Sequence, residues 1–207
     1  MAPASPPARR RVLVAEDEAL IRLDLVEMLG EEGYDVVGEA GDGRSAVSLA
    51  QELRPDVVIL DVKMPVLDGI AAAQQIVDER VAPVVLLTAF RQRDLVERAR
   101  EAGVMAYLVK PFEKADLLPA VEMAVSRFAE VVALEGEVAD LRDRLEARTV
   151  VDRAKGVLQS RHGFREPEAF RGIQRTSMDS RRTMRALAQE VLDGTAAPVA
   201  AADPRSG

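Results

Sequence analysis

The stretch Val57-Val58-Ile59-Leu60-Asp61 decides the fold, because four consecutive β-favouring apolar residues end at a carboxylate. Such a run, without polar alternation, predicts a strand that is buried on both faces, as in the middle of a parallel sheet. The proline and glycine within residues 63–69 predict a loop directly after it. Asp61 is therefore expected at the carboxyl edge of the sheet, where open α/β folds bind ligands. Taken alone, it is equally well explained as an acid that ends a strand.

Four other apolar runs predict further strands, and helical patterns of apolar residues lie between them. The five predicted strands span residues 12–15, 35–40, 57–61, 84–88 and 106–110. The helices are predicted after the first strand, at 45–53, 70–80 and 94–102, and from residue 116 onward. This alternation is typical of α/β proteins, so the predicted fold is a five-stranded doubly wound parallel sheet.

Polar residues stand at or just beyond the ends of four of these strands. Right-handed crossovers bring the carboxyl ends of parallel strands to one edge, so these side chains should converge. Crowded carboxylates repel one another unless a cation joins them, and Mg²⁺ is the hard divalent ion that shares oxygen ligands with phosphate. A lysine and a hydroxyl suit phosphoryl oxygens, and a carboxylate beside the metal can act as a nucleophile toward phosphorus. The converging residues are Glu16, Asp17, Asp61, Thr88 and Lys110.

The composition excludes several classes of protein. The absence of cysteine rules out a disulfide framework, a thiolate nucleophile and a cysteine metal site. No apolar run approaches the length of a membrane span, and the Pro-rich basic start lacks the apolar region of a signal peptide. A cytoplasmic protein without membrane association is therefore expected. Residues 148–207 carry a net charge of +4 and the remainder −11, which suggests a second part that binds a polyanion.

The acid pair, the strand-end aspartate, the threonine and the aromatic-x-x-Lys-Pro run at residues 107–111 together resemble the receiver domain of bacterial two-component response regulators. The resemblance covers residues 10–128 and implies a flavodoxin-like fold. It implies that a sensor histidine kinase phosphorylates one aspartate, and that the Lys110–Pro111 peptide is cis. The implied roles are phosphoacceptor Asp61; Mg²⁺ ligands Glu16, Asp17, Asp61 and the carbonyl of Lys63; phosphoryl-binding Thr88 and Lys110; and Tyr107 as a rotamer switch.

Three residues of this part carry a second or a neutral interpretation. The family more often has Asp at position 16, and the longer side chain of Glu16 could reach the metal through water. Tyr107, taken alone, is more often a core residue, since aromatic side chains supply much apolar burial. Arg22 is interpreted as an ordinary surface residue.

A long helical pattern connects the two parts, and residues 129–148 are predicted as a coiled-coil linker. Four apolar residues repeat at +4, +3 and +4 among charged neighbours, which is an a/d seam. Two heptads do not prove a coiled coil, so a helix that packs this stripe on its own neighbours is the alternative. A homodimer in the active state is the preferred interpretation, with the seam Leu134, Val138, Leu141 and Leu145.

The last part, residues 149–194, resembles the ANTAR domain, a three-helix RNA-binding antitermination module. The resemblance rests on Asp-Arg-Ala-Lys-Gly-Val-Leu from Asp152, Glu-Ala-Phe from Glu168, Ser-Met at 177–178 and the Leu-Ala-x-x-Val ending from Leu187. It implies binding of RNA hairpins, which calls for cations on phosphates and polar groups on loop bases. Phe170 is predicted in the core, and the third helix at 180–192. The RNA-binding candidates are Arg153, Lys155, Arg161, Arg165, Arg171, Gln174 and Arg175.

The leading hypothesis is a response regulator that is phosphorylated stoichiometrically, is not an enzyme beyond slow autodephosphorylation, and prevents transcription termination by binding RNA hairpins. One alternative keeps the receiver domain but gives the chain a DNA-binding output. Another is a phosphatase that uses Asp61 as its nucleophile, although such enzymes often place an acid where this chain has Lys63. Residues 1–9 and 195–207 are predicted to be disordered tails.

Overall fold

The computed structural model describes residues 9–89 and 93–195, apart from the side chains of residues 93–95. The chain divides into two compact units that meet between Ala133 and Leu134, and each is considered by itself. The predicted tails lie outside the described residues, except for Arg9 and Thr195. None of the helices in the described part of the chain combines the length and the apolar content needed to cross a membrane.

The first unit contains a five-stranded, all-parallel sheet with the order β2-β1-β3-β4-β5, which confirms the predicted fold. This order is the flavodoxin-like one, in which the connection changes direction between β1 and β3. The predicted strands agree with the structure within one residue at each end. They are β1 (Arg11–Ala15), β2 (Asp35–Ala40), β3 (Val57–Asp61), β4 (Val84–Thr88) and β5 (Ala106–Val109).

Helices follow the strands in regular alternation. Their ends are set by local capping: Asp42 and Asp68 accept hydrogen bonds from Ser45 N and Ala71 N and so cap the second and third helices. The helix predicted from residue 116 begins two residues earlier. The helices of this unit are α1 (Ala19–Glu31), α2 (Gly43–Leu53), α3 (Gly69–Asp78), α4 (Arg93–Glu101) and the beginning of α5 (Lys114–His162).

The central strand separates two hydrophobic cores, because its side chains alternate between the faces of the sheet. Val57 and Ile59 pack with α1 and α5 on one face, whereas Val58 and Leu60 pack with α2, α3 and α4 on the other. All five residues of β3 are buried. The interpretation of this run as a strand with two buried faces is confirmed, and its last residue is Asp61.

The second unit consists of the remainder of α5, α6 (Glu166–Ser180) and α7 (Met184–Asp193). Its core includes Ala154, Leu158, Ile173 and Ala188. The prediction that the third helix starts at residue 180 is wrong. The preceding helix continues to Ser180 and ends at Arg181, whose φ is +54°, and a new N-cap forms at Thr183, which accepts a hydrogen bond from Ala186 N.

Two predictions about apolar residues of the second unit have different outcomes. Phe170 is not a core residue, since it is 41% exposed while its neighbour Ala169 is buried. The apolar stripe of α5 is exposed within the second unit, and its role as a dimer seam stays a prediction. The exposed fractions of its residues are 61% for Leu134, 46% for Val138, 57% for Leu141 and 65% for Leu145.

Candidate functional site

Three carboxylates converge at the carboxyl edge of the sheet. Glu16 directly follows β1, where its N–H donates to the carbonyl of Ala40 at the end of β2, 3.0 Å away. Asp61 is the last residue of the neighbouring strand β3. Glu16, Asp17 and Asp61 each offer a carboxylate oxygen, and these oxygens lie within 4.8 Å of one another. Glu16 and Asp61 are buried, whereas Asp17 is exposed.

Lys110 joins two of these acids. Its Nζ lies 2.5 Å from Asp61 Oδ1 and 2.5 Å from Glu16 Oε2. Lys110 follows the last residue of β5, and its N–H donates to the Thr88 carbonyl over 2.7 Å. The next peptide, Lys110–Pro111, is cis, as predicted. The contact with Glu16 was not predicted from the sequence, which assigned this acid to the metal alone.

Burial raises the pKa of Glu16 above its ordinary value, even though the hydrogen bond from Lys110 opposes the shift. Burial by itself would lower the pKa of Lys110, but hydrogen bonds to Asp61 and Glu16 outweigh it and the pKa is raised. The ammonium therefore remains charged at neutral pH and compensates the two buried carboxylates. In this arrangement the Lys110 ammonium lies between two buried acids that would otherwise repel each other.

The loop after Asp61 is held close to the strand end. Asp61 Oδ2 accepts a hydrogen bond of 2.6 Å from Lys63 N. Leu67 N donates to the Pro65 carbonyl over 2.7 Å around Val66, whose φ is +68°, which is a γ-turn with a positive φ. Val66 is 79% exposed, so this strained conformation of a β-branched residue is not offset by side-chain burial.

Two glycines border this loop at points of close approach. A Cβ on Gly69 would lie 1.9 Å from the carbonyl oxygen of Asp61. A Cβ on Gly43, at the start of α2, would lie 2.1 Å from the carbonyl oxygen of Leu67. Both distances are far inside van der Waals contact, so neither position has room for a side chain.

Thr88 and Tyr107 lie on the two strands that complete this edge. Thr88 is the last residue of β4 and is buried, next to Val109 in the register of β4 and β5. Tyr107 lies on β5, but it is 48% exposed. The interpretation of Tyr107 as a core residue is therefore wrong, and its ring has solvent on one side.

Arg22 is a residue of this region whose importance the sequence prediction missed. Its side chain is only 23% exposed; Nη1 donates to the main-chain carbonyl of Glu16 over 2.5 Å, and Nε donates to Glu39 over 3.2 Å. It thus connects the segment that carries the acid pair to β2. The available signal was its place one helical turn after the start of α1, next to the strand ends.

The RNA-binding candidates on the second unit differ in their surroundings. Lys155 is only 17% exposed and lies 2.8 Å from Asp152 and 3.2 Å from Glu166. The hydrogen bonds to Asp152 and Glu166 raise its pKa, and this double ion pair connects α5 to the first turn of α6. The other candidates are all exposed: Arg153, Arg161, Arg165, Arg171, Gln174 and Arg175.

Two family models match the chain in succession. The response regulator receiver domain matches residues 12–122, and the ANTAR domain matches residues 139–192. Among relatives, the chain is 65% identical over 189 residues to the transcriptional regulatory protein PdtaR of Mycobacterium tuberculosis, which covers 91% of this chain and 92% of that protein.

Solved receiver domains resemble the first unit. One is the receiver domain of the sensor histidine kinase PA1611 of Pseudomonas aeruginosa, which has a magnesium ion coordinated in its active-site cleft. The TM-score is 0.52 and the identity 32%, over 57% of this chain and 99% of that one. Another is the response regulator domain of Thermotoga maritima CheB, with a TM-score of 0.53 and 29% identity, over 57% of this chain and 98% of that one.

Proposed function

This chain is a phosphorylation-dependent two-component response regulator with a receiver domain and an RNA-binding ANTAR output, and on that premise we propose that Asp61 is its phosphoacceptor. The observation that carries the proposal is the contact of Lys110 Nζ with Asp61 Oδ1, 2.5 Å long, beside two further acids. A carboxylate oxygen of Asp61 attacks phosphorus, and the bond from phosphorus to the histidine nitrogen of a sensor kinase breaks. Thr88 and Lys110 bind the phosphoryl oxygens, and Tyr107 changes rotamer as Thr88 moves toward them.

The donor set fits Mg²⁺. Magnesium takes oxygen ligands at about 2.0–2.1 Å, so ligands on opposite sides of the ion are about 4.2 Å apart. The carboxylate oxygens of Glu16, Asp17 and Asp61 lie within 4.8 Å of one another, so small side-chain rotations suffice. We assign these three residues and the carbonyl of Lys63 as the groups that hold the ion. When bound, Mg²⁺ neutralises negative charge between the acids and the transferred phosphoryl group.

Phosphotransfer is tested with a labelled phosphodonor, either a phosphorylated sensor kinase or a small acyl phosphate. Wild-type protein should take up about one phosphoryl group per chain in the presence of Mg²⁺, and Asp61→Asn should take up none. The uptake should stop at this stoichiometry, because the chain acts as an acceptor and hydrolyses the acyl phosphate only slowly. Repeated release of phosphate from excess donor would instead favour the phosphatase alternative, and equal labelling of Asp61→Asn would refute the assignment.

The output is proposed to bind RNA hairpins and so prevent transcription termination. The exposed cations of the second unit support this, since phosphate neutralisation dominates nucleic-acid affinity. The seven candidates named from the sequence remain proposed contacts, although Lys155 is already held by two acids. A gel-shift comparison of hairpin RNA with duplex DNA, using phosphorylated protein and Asp61→Asn, separates this output from a DNA-binding one.

The active form is proposed to be a homodimer through the seam of α5. The four seam residues are 46–65% exposed and repeat at the spacing with which a second helix would bury them. Sedimentation of the phosphorylated protein measures the oligomeric state. Leu141→Asp should give monomers, because a charge in the seam opposes its burial, whereas Asp140→Lys, at a position that does not flank the seam, should leave the dimer intact. A dimer that survives Leu141→Asp would contradict this assignment.

A further inference from the structure

One face of α6 exposes large apolar side chains beside arginines. Met178 is 74% exposed and Phe170 is 41% exposed, while Ala169 and Ile173, on the adjacent side of the helix, belong to the core. The only other phenylalanine, tyrosine or tryptophan after residue 133 is Phe164, which is partly buried against that core. Phe170 is thus the phenyl ring that the second unit presents to solvent, in addition to the exposed imidazole of His162 at the end of α5.

The exposed residues form two parallel rows. Phe170, Gln174 and Met178 follow one another at a spacing of four, and Arg171 and Arg175 form a second row at the same spacing, so neighbours within a row lie on one side of the helix. The first row spans about 12 Å at a rise of 1.5 Å per residue. We call these five residues the α6 outer face.

The charge of the α6 outer face is positive. The segment between Glu168 and Asp179 contains two arginines and no acid. Arg175 approaches one acid, Asp179, at 3.9 Å, and both side chains are about three-quarters exposed, which makes a weak surface pair. A surface that combines a ring, a thioether, an amide and two guanidinium groups suits a ligand with flat apolar faces, polar edges and negative charges.

Unpaired bases of an RNA loop have this chemistry. The bases of a duplex are stacked and hidden, whereas those of a loop can stack on aromatic rings and expose their edges to hydrogen bonds.

We propose that the α6 outer face binds the unpaired loop bases of an RNA hairpin, with a base stacked on Phe170. Gln174 hydrogen-bonds a base edge, Met178 covers an apolar face, and Arg171 and Arg175 contact the adjacent phosphates. This inference rests on the proposed RNA-binding output and specifies which surface performs it. Phe170 thereby changes from a predicted core residue to a recognition residue.

The test uses the full chain, phosphorylated with an acyl phosphate and Mg²⁺, and a pool of RNA stem-loops with a fixed stem and a randomised loop. Binding is measured against the same stem closed as a continuous duplex. Phe170→Ala should bind the loop pool about 5- to 150-fold more weakly and leave duplex binding unchanged. Phe170→Leu, which keeps apolar bulk, should lose most of the same affinity, whereas Phe170→Tyr should retain it.

Substitution of the arginines should instead change the salt dependence of RNA binding. Arg171→Ala or Arg175→Ala should each reduce the slope of log affinity against log salt by roughly one, while Phe170→Ala leaves that slope unchanged. Arg148→Ala is the matched control, since Arg148 also has an exposed acid four residues away, at 4.0 Å. Circular dichroism verifies that each variant is folded.

The outcomes separate the two levels of the proposal. If Phe170→Ala and Phe170→Leu bind the loop pool as tightly as wild type, the inference about the α6 outer face is wrong, although the chain still binds RNA. If wild type shows no preference for loops over duplex, the proposed hairpin-binding function itself fails. Loss of loop binding in both Phe170 variants, with Arg148→Ala unaffected, supports the inference.

Discussion

Replacing Lys110 by methionine tests the central electrostatic claim about the receiver site. In wild type one ammonium lies 2.5 Å from Asp61 and 2.5 Å from Glu16. Each contact is worth about 6–7 kcal/mol of Coulomb attraction at an effective dielectric constant of 20, before desolvation is subtracted. Removal of one partner from a buried ion pair destabilises a protein by about 3–5 kcal/mol. Since Lys110 retains 16% exposure, we expect about 3 kcal/mol for Lys110→Met.

The stability lost in Lys110→Met should depend on pH, and the pKa of Glu16 gives the direction of this dependence. The pKa of Glu16 is already raised by burial, and the lysine that opposes this shift is absent from the variant. A group whose folded-state pKa is raised contributes stability below its unfolded pKa, and this contribution is lost as pH rises through the folded pKa. Lys110→Met should therefore differ most from wild type near neutral pH and approach it as the pH falls and Glu16 takes up a proton.

Urea denaturation followed by circular dichroism measures the free energy of unfolding, with and without Mg²⁺. A ligand at 100 times its Kd adds about 2.7 kcal/mol. At equal Mg²⁺ concentration, Lys110→Met should gain more stability than wild type, because in wild type Mg²⁺ must displace the hydrogen bonds of the lysine. Lys114→Met is the matched control: Lys114 also bridges two acids, Glu31 at 2.9 Å and Glu32 at 2.8 Å, but on the surface, where ion pairs contribute little.

Two results would refute this reasoning. One is a Lys110→Met variant that is as stable as wild type at neutral pH without Mg²⁺. The other is equal destabilisation by Lys110→Met and Lys114→Met, which would show that burial of the acids makes no difference.

Three further predictions concern other parts of the first unit. Arg22→Met should weaken Mg²⁺ binding in calorimetry, because the Glu16 carbonyl loses its donor, and Arg22→Lys should restore part of the affinity; unchanged affinity in both would contradict a positioning role. Val66→Gly should raise the free energy of unfolding by about 1 kcal/mol, because glycine adopts the positive φ of this exposed position without the strain of a β-branched residue. A lower stability in urea denaturation would contradict this. Burial and the hydrogen bond to Glu122 raise the pKa of Tyr34 to about 12. Tyr34 is the only tyrosine in the variant Tyr107→Phe. The absorbance titration of this variant should therefore have its midpoint near 12. The stability linked to Tyr34 should be full below pH 10 and lost as the pH rises through about 12, and a midpoint near 10 would contradict it.

The sequence predicts the sheet well because burial on both faces leaves a continuous apolar run. The run at Val57–Asp61 and the similar one at Val84–Thr88 are strands with the predicted ends. The parallel topology then places their last residues at one edge, and this geometric rule was sufficient to bring together Glu16, Asp17, Asp61 and Lys110. Periodicity also identified the apolar stripe of α5, whose four residues are exposed within the second unit.

The details that sequence reasoning missed are those that depend on side-chain reach. The position of Glu16 at the strand edge does not reveal that its side chain contacts Lys110. The helical pattern of α1 likewise does not reveal that Arg22 donates to the Glu16 carbonyl. Phe170 was misplaced for a related reason: hydrophobicity predicts burial, but the small Ala169 occupies the core position next to it. The predicted start of the third helix is too early, because α6 ends at Arg181 in a left-handed conformation. The composition of this segment does not indicate that conformation.

The two glycines beside the loop after Asp61 restrict how the sequence of this segment can vary. Even a methyl group at Gly43 or Gly69 would collide with main-chain oxygen rather than with a flexible side chain, so relief requires the backbone itself to move. Val66, between these fixed points, projects into solvent and tolerates replacement. Natural or engineered diversity in this segment should therefore accumulate at its tip, and a library that randomises the loop should return both glycines unchanged.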